Sequence, residues 1–253
     1  MLASLESERL VVVLVHPRNP LNIGAAARAM SNFGVRRLRL VAPYEVAFRN
    51  ARSAVGASAV LEAAEQFDTV AEALTDCQLV IGTTAVKSRD LQHPLRELNV
   101  ETGRALRSEL GSRTVALMFG SEKFGLSNED LTHCHWLLRI PAREEHPSMN
   151  LGQAVAVCLY EVTRNENAPV VPDSVPQVLA GPQATAGDEE RIVVSLMEAL
   201  NLSEYVRRHT EESVRENARR FVRRLNMQRS DAELWLGMLR QIIWKLKGGK
   251  HEE

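Results

Sequence analysis

The sequence predicts an α/β domain built on a parallel sheet, then a proline-rich linker and a small all-helical C-terminal domain. Three observations predict this. Short aliphatic, β-branched runs alternate with helical stretches up to about residue 165; Pro169, Pro172, Pro176 and Pro182 fall among small and polar residues in 166–187; and 188–253 carries helical periodicity without a strand pattern. Strands separated by helices need right-handed crossovers, which make neighbouring strands parallel.

The first run, Leu10-Val11-Val12-Val13-Leu14-Val15, is apolar throughout, as in a strand buried on both faces. Pro20 to Gly34 reads as a helix stopped by Gly34, and Arg37-Leu38-Arg39-Leu40-Val41 alternates as a strand. Ala59 to Phe67 and Val70 to Asp76 read as helices, with Leu79 to Thr83 a buried strand between them and the next apolar runs. Val115 to Phe119 and Trp136 to Ile140 are further strands, and Leu151 to Arg164 is a helix with Val155, Leu159 and Val162 inward. The segment 166–187 cannot bury a core and is expected to be a flexible linker. Beyond it, Ile192 to Leu200 and Ser213 to Asn226 read as helices, the second with Val214, Ala218, Phe221, Val222 and Leu225 on one stripe. Ser230 and Glu233 have capping-box spacing for a last helix with Trp235, Leu239, Ile242 and Leu246 inward. So small a helical piece is expected to pack on something else. The expected units are 1–165, 166–187 and 188–253.

Composition narrows the function classes. A net charge of −1 gives no whole-molecule attraction to nucleic acid, so any RNA surface must come from local clusters of Arg and Lys. No apolar run reaches membrane-spanning length, and Met1 to Arg9 lacks a signal layout. Cys77, Cys134 and Cys158 lie scattered in apolar surroundings, which fits buried free thiols in a reducing cytoplasm better than disulfides. His133-Cys134-His135 are consecutive; in a strand their side chains alternate faces and cannot converge on one ion, so no metal is expected.

Neither G-x-G-x-x-G nor G-x-x-x-x-G-K-[ST] is present, which removes the usual dinucleotide and P-loop readings. Open parallel sheets place ligands at the carboxyl ends of their strands. Three unusual loops fall there: His16 to Arg28, with Asn22, Gly24 and Arg28; Phe119 to Leu126, with Gly120, Glu122 and Gly125; and Ile140 to Ala154, with Ser148, Met149, Asn150 and Leu151. Singly, each has an ordinary reading. Asn22, Ser148 or Asn150 would cap helices, Arg28 would be a solvated charge, and the glycines would permit turns. Together, at the ends of strands in one sheet, they predict a shared pocket.

The N-x-G-x-x-x-R helix start, the F-G-x-E-x-x-G-L loop and the S-x-N-L-x-x-A helix start resemble the three motifs of the SpoU/TrmH family of the SPOUT superfamily, in order and spacing over about Leu10 to Arg164. The Gly82-Thr83-Thr84-Ala85 turn, the Val55-Gly56-Ala57 segment and the helical extension resemble in particular the branch that methylates the ribose of tRNA nucleotide 32. The resemblance implies a trefoil-knotted fold, a homodimer, and S-adenosylmethionine (SAM) bound within the knot. It places the cofactor on Thr83, Thr84, Ala85, Gly120, Gly125, Leu126, Ile140, Ser148, Met149 and Asn150. It places catalysis on Arg28, with Asn22, Glu122, Ser148 and Asn150 in the same motifs. An arginine is nearly always protonated, so Arg28 is expected to grip a phosphate and orient the 2′-hydroxyl rather than act as a base.

RNA contacts are expected from Arg18 and Arg36 in the first domain and from Arg215, Arg219 and Arg223 on the arginine-rich helix, opposite its apolar stripe. Arg36, Arg37, Arg39, Arg49 and Arg52 are expected near the catalytic loop. Glu211, Glu212 and Glu216 dilute the helical cluster, which also reads as a solvated face. An rRNA ribose methyltransferase and a catalytically silent RNA-binding protein on the same fold stay open as alternatives. A small-molecule methyltransferase fits the basic helix less well.

Overall fold

The computed structural model describes residues 4–44, 48, 59–85, 93–143, 145, 146, 148–164, 181–206 and 210–248. The Val55-Gly56-Ala57 segment, Arg49, Arg52 and most of the linker lie outside the described residues. Seven parallel strands form one sheet: β1 (Leu10–Val15), β2 (Arg37–Val41), β3 (Glu65–Phe67), β4 (Leu79–Thr83), β5 (Leu95–Glu97), β6 (Val115–Phe119) and β7 (Trp136–Arg139). Their order is β3-β2-β1-β6-β4-β7-β5. β1 sits between β2 and β6, and all residues of β1 and β6 are buried, which is why both read as unbroken apolar runs. Because every pairing is parallel, Val15, Thr83, Phe119 and Arg139 end at one edge of the sheet, while Leu10, Leu79, Val115 and Trp136 start at the other.

Helices cover both faces. α1 (Ser4–Arg9), α2 (Pro20–Asn32), α3 (Ala59–Glu62), α4 (Val70–Ala73), α5 (Val100–Leu110), α6 (Asn128–Thr132) and α7 (Leu151–Thr163) belong to the first unit. α2 and α7 pack side by side, and α5 packs on α7; Ile23, Met30, Leu106, Leu110 and Leu159 fill that face. The opposite face is filled by Val11, Val13, Leu74, Leu131 and Leu137. α2 starts where Asn19 accepts from the Leu21 N–H at 2.9 Å and Pro20, having no N–H, needs no acceptor.

Several local expectations are corrected. Ala59 to Phe67 is not one helix: α3 ends at Glu62, and Glu65-Gln66-Phe67 pair with β2. Polar edge residues give no apolar run to read; backbone pairing with β2 holds this strand, with the Glu65 carboxylate on Arg39 Nε at 3.1 Å beside it. β5 and α5 carry no expectation from sequence for the same reason, an exposed edge strand and a helix whose buried positions are only Gly103, Leu106 and Leu110. Contrary to expectation, Arg36, Arg37 and Arg39 are not beside the His16 to Arg28 loop. Arg36 and Arg37 start the strand at the opposite edge, and Arg37 and the buried Arg39 are both tied to Asp76, at 2.7 and 2.5 Å.

α8 (Ala186–Leu202), α9 (Glu211–Leu225) and α10 (Arg229–Leu246) form the helical unit around Ile192, Val193, Met197, Val222 and Leu239. Its capping box is Thr185 with Asp188; Ser230 and Glu233 form none, because α10 begins at Arg229 after Gln228 and Glu233 pairs with Arg229 instead. Phe221, Leu225, Ile242 and Leu246, expected inward, are exposed, since three helices close around a single layer. The stretch 181–187 is docked rather than free. Ala186 N–H donates to the Cys77 carbonyl at 2.6 Å and Gly187 N–H to that of Thr75 at 3.2 Å. A Cβ at Gly187 would lie 2.8 Å from Thr75, so this approach requires glycine.

Arg219 and Arg223, expected on an RNA-facing surface, are 7% and 2% exposed. Arg219 holds Glu190 at 2.9 Å and the Thr132 hydroxyl at 3.0 Å, and Arg223 forms an ion pair with the equally buried Glu189. They lie on the side of α9 that meets α8 and α6, so helical spacing alone puts them on the wrong face. Arg215 stays at the surface, 3.7 Å from Glu211.

Candidate active site

The three motif loops meet at the carboxyl edge of the sheet, and a single chain of hydrogen bonds ties them. Asn150 caps α7, accepting from the Gly152 N–H at 2.9 Å, while its amide donates to Asn22 Oδ1 at 2.6 Å. Asn22 in turn donates to Glu122 at 3.1 Å. The same carboxylate accepts from the backbone N–H groups of Asn19 at 3.0 Å and Arg18 at 3.2 Å. Burial pushes the Glu122 carboxyl up, but its own backbone N–H, Asn22, and the Asn19 and Arg18 N–H groups outweigh it and the net shift is downward. Held ionised as an acceptor, Glu122 fixes the first loop against the second and is a poor proton acceptor.

The second loop turns back on itself. Gly125, at φ +68°, donates its N–H to the Ser121 carbonyl at 2.8 Å, and a Cβ at Gly120 would stand 1.9 Å from the Gly125 carbonyl carbon. Only glycine at 120 lets these backbones touch. Alongside, the Thr83 hydroxyl donates to the Met118 carbonyl at 2.9 Å and the Thr84 N–H to that of Leu138 at 3.0 Å, joining the ends of β4, β6 and β7.

These loops enclose a cavity of about 270 Å³. Thr83, Thr84, Ala85, Gly120, Gly125, Leu126, Ile140, Ser148 and Met149 all line it, with Glu122. Asn22 and Asn150 stand behind the wall. Arg28 lies on the exposed face of α2 and does not line the cavity; eight residues past Pro20, it is roughly 12 Å further along the helix. Arg18 is exposed in the first loop. Lys123 and Phe124 also line the cavity, Phe124 at 68% exposure with the Lys123 ammonium 5.1 Å from its ring centroid. Their signal was in the sequence, between the motif's Glu122 and Gly125.

The residues present fit SAM. The Gly120–Gly125 turn offers backbone groups at close approach, Leu126, Ile140 and Met149 offer apolar surface for a purine, and the volume is near the lower limit of about 300 Å³ for small-molecule sites. Burial pushes Cys77, Cys134 and Cys158 up to about 12, so none is a nucleophile at neutral pH.

Known proteins are similar to this chain in sequence and fold. The model of the SpoU rRNA Methylase family matches residues 9–160. The tRNA (cytidine/uridine-2′-O-)-methyltransferase TrmJ of Escherichia coli K12 is 34% identical over 252 residues, 97% of this chain and 99% of that one. The protein of the same name from Yersinia pestis is 34% identical over 241 residues, covering 91% and 90%. Among solved structures, TrmJ from Z. mobilis ZM4 superposes with a TM-score of 0.77 at 28% identity, covering 92% of this chain and 98% of its own.

Proposed function

The chain belongs to the SpoU rRNA methylase family, and from that premise we propose that it transfers a methyl group from SAM to the ribose 2′-oxygen of nucleotide 32 in the tRNA anticodon loop. It is a SAM-dependent RNA 2′-O-methyltransferase. The observation that carries the reading is the Asn150–Asn22–Glu122 chain, which gathers three distant motifs around one nucleoside-sized cavity. Similarity to the tRNA enzymes spans the C-terminal helices as well as the catalytic unit, which favours tRNA over rRNA.

The cofactor supplies an electrophilic methyl on a sulfonium. Thr83, Thr84, Ala85, Gly120, Gly125, Leu126, Ile140, Ser148 and Met149 hold it, and Asn150, expected among them, instead joins Asn22 and Glu122 in keeping the loops in register from behind the wall. Arg28 binds the phosphate next to the target ribose and sets the 2′-hydroxyl in line. Arg18 contacts RNA at the same edge; Arg36 faces the other edge and Arg215 the outer side of α9. The protein acts as a homodimer in the cytoplasm. Leu21 and Tyr160, 78% and 52% exposed on adjoining α2 and α7, support a covered face there. Arg28 on that stripe, outside its own protomer's cavity, would then complete the partner's site. Among the described residues no helix is long and apolar enough to cross a membrane.

Labelled SAM with unmodified tRNA and rRNA in parallel, followed by mapping, tests this. A 2′-O-methyl at nucleotide 32 is expected. Label on rRNA alone discards the tRNA assignment, and no label with SAM bound makes the protein a silent RNA binder. Arg28→Lys keeps the charge but loses the two-pronged geometry. Its turnover is expected to fall roughly 10²-fold at unchanged SAM affinity; near-normal turnover would remove Arg28 from catalysis.

A further inference from the structure

We propose that a second cavity, at the amino edge of the sheet, binds a phosphate-bearing nucleotide unit, drawn either from the RNA chain or from a free nucleotide. This cavity of about 230 Å³ lies where the first residues of β4 and β7, Leu79 and Trp136, meet α5 and the end of α9. It shares no lining residue with the cofactor cavity and sits at the opposite edge of the strands.

Its lining includes four arginines, Arg96, Arg113, Arg223 and Arg224, against one acidic residue, Glu109. Glu109 is matched to Arg113 at 3.3 Å, and the buried Glu189 behind the wall is shared between Arg223 and His135. Glu190 is taken up by Arg219, with Arg223 at 3.9 Å. Arg96 and Arg224 have no ion-pair partner among the described residues, which leaves two unmatched cations at one cavity. The carbonyl end of α9 opposes an anion there, but Arg223 and Arg224 fill its last turn. Neighbouring His93 registers the field: burial, then Arg220, Arg224 and His135, depress it to about 4.

Arg223, 2% exposed and held by Glu189 and the Ala186 carbonyl, adds its charge at the wall from a fixed position. One further feature points to a nucleotide rather than a bare ion. Arg96 sits over the Trp136 ring, its Cζ 4.6 Å from the centroid, while remaining exposed itself. A guanidinium plane backed by an indole is a platform on which a base stacks, and its edge donates to phosphate.

The test uses the full chain and the double variant Arg96→Ala/Arg224→Ala, both exposed positions outside the catalytic machinery, with Arg96→Lys/Arg224→Lys as the charge-keeping control. Binding of tRNA is measured between 50 and 200 mM salt, and CMP and CDP are titrated calorimetrically with SAM saturating so that the first cavity is filled. If the RNA chain is the source, the alanine variant binds tRNA about tenfold more weakly and its salt slope drops by about 1 to 2, with partial recovery in the lysine variant. If a free nucleotide is the source, CMP or CDP binds the wild type saturably and not the alanine variant, and tRNA affinity is unchanged. Unchanged tRNA binding with no nucleotide binding overturns the site. The RNA arm rests on tRNA being the substrate, and methylation of tRNA by the wild type tests that separately.

Discussion

Replacing Gly120 with alanine is expected to abolish cofactor binding while leaving most of the fold intact. The new Cβ would stand 1.9 Å from the Gly125 carbonyl carbon, 2.1 Å from the Leu126 nitrogen and 2.3 Å from the Gly125 oxygen. All three are backbone atoms, so no rotamer change relieves the clash and the 120–126 turn must open. Opening it breaks the Gly125-to-Ser121 hydrogen bond of 2.8 Å and shifts Glu122, whose carboxylate holds Asn19, Arg18 and Asn22. One substitution therefore disturbs two of the three loops around the cavity. SAM affinity is expected to fall more than ~100-fold, a loss of about 2.7 kcal/mol or more, with methyl transfer falling further because Asn22 no longer sets the first loop. Gly237→Ala is the control: nothing lies within 4 Å of its Cβ, and it sits inside α10, where alanine favours the helix by about 1 kcal/mol. Wild-type SAM binding by Gly120→Ala would show that the turn tolerates opening and is not part of the cofactor site.

How much of this could be read beforehand depended on whether burial left a periodic trace. β1, β4 and β6 are central, and their uninterrupted apolar runs announce them. β3 and β5 are edge strands made of Glu65-Gln66-Phe67 and Leu95-Arg96-Glu97, held by side-chain ion pairs and by neighbours far away in sequence, so no local pattern marks them. The three motif loops were legible because glycine, asparagine and glutamate at strand ends have few other uses together. Their mutual hydrogen bonds were not, since Asn22 and Asn150 are 128 residues apart. Charge was the least legible property. Arg219 and Arg223 share a helix with Arg220 and Arg224, and only the position of Glu189 and Glu190 on α8 turns the first pair inward. A charge reversal of Arg219 and Arg223, which would test RNA binding on an outer face, would here oppose buried carboxylates and unseat the helix.

That buried pair sets the other large effect. Glu189 and Arg223 are each 2% exposed and bonded to one another, with His135 Nε2 3.5 Å from the Glu189 carboxylate and its Nδ1 accepting from the Val80 N–H at 3.0 Å. The cluster thus joins α8 and α9 to the start of β4. Glu189→Gln leaves the Arg223 charge buried with Glu190 only at 3.9 Å, and breaking such a pair typically costs about 3–5 kcal/mol. For a chain of this size that corresponds to a melting point lower by about 10 °C. Adding Arg223→Met should recover much of the loss, because an apolar side chain needs no partner. The wild type should also show the pair in its pH dependence. Burial raises the Glu189 carboxyl, but His135 and Arg223 more than offset it and the folded value lies below the ordinary 4.5. Depressed in the folded state, the group contributes stability fully above pH 4.5 and loses it as pH falls through the folded value. Urea unfolding from pH 7 down to 3.5 should therefore steepen below 4.5 in the wild type and less so in Glu189→Gln. Equal slopes in the two proteins, or an unchanged melting point at pH 7, would mean the helical unit is anchored by its apolar contacts and by the Ala186 and Gly187 hydrogen bonds instead.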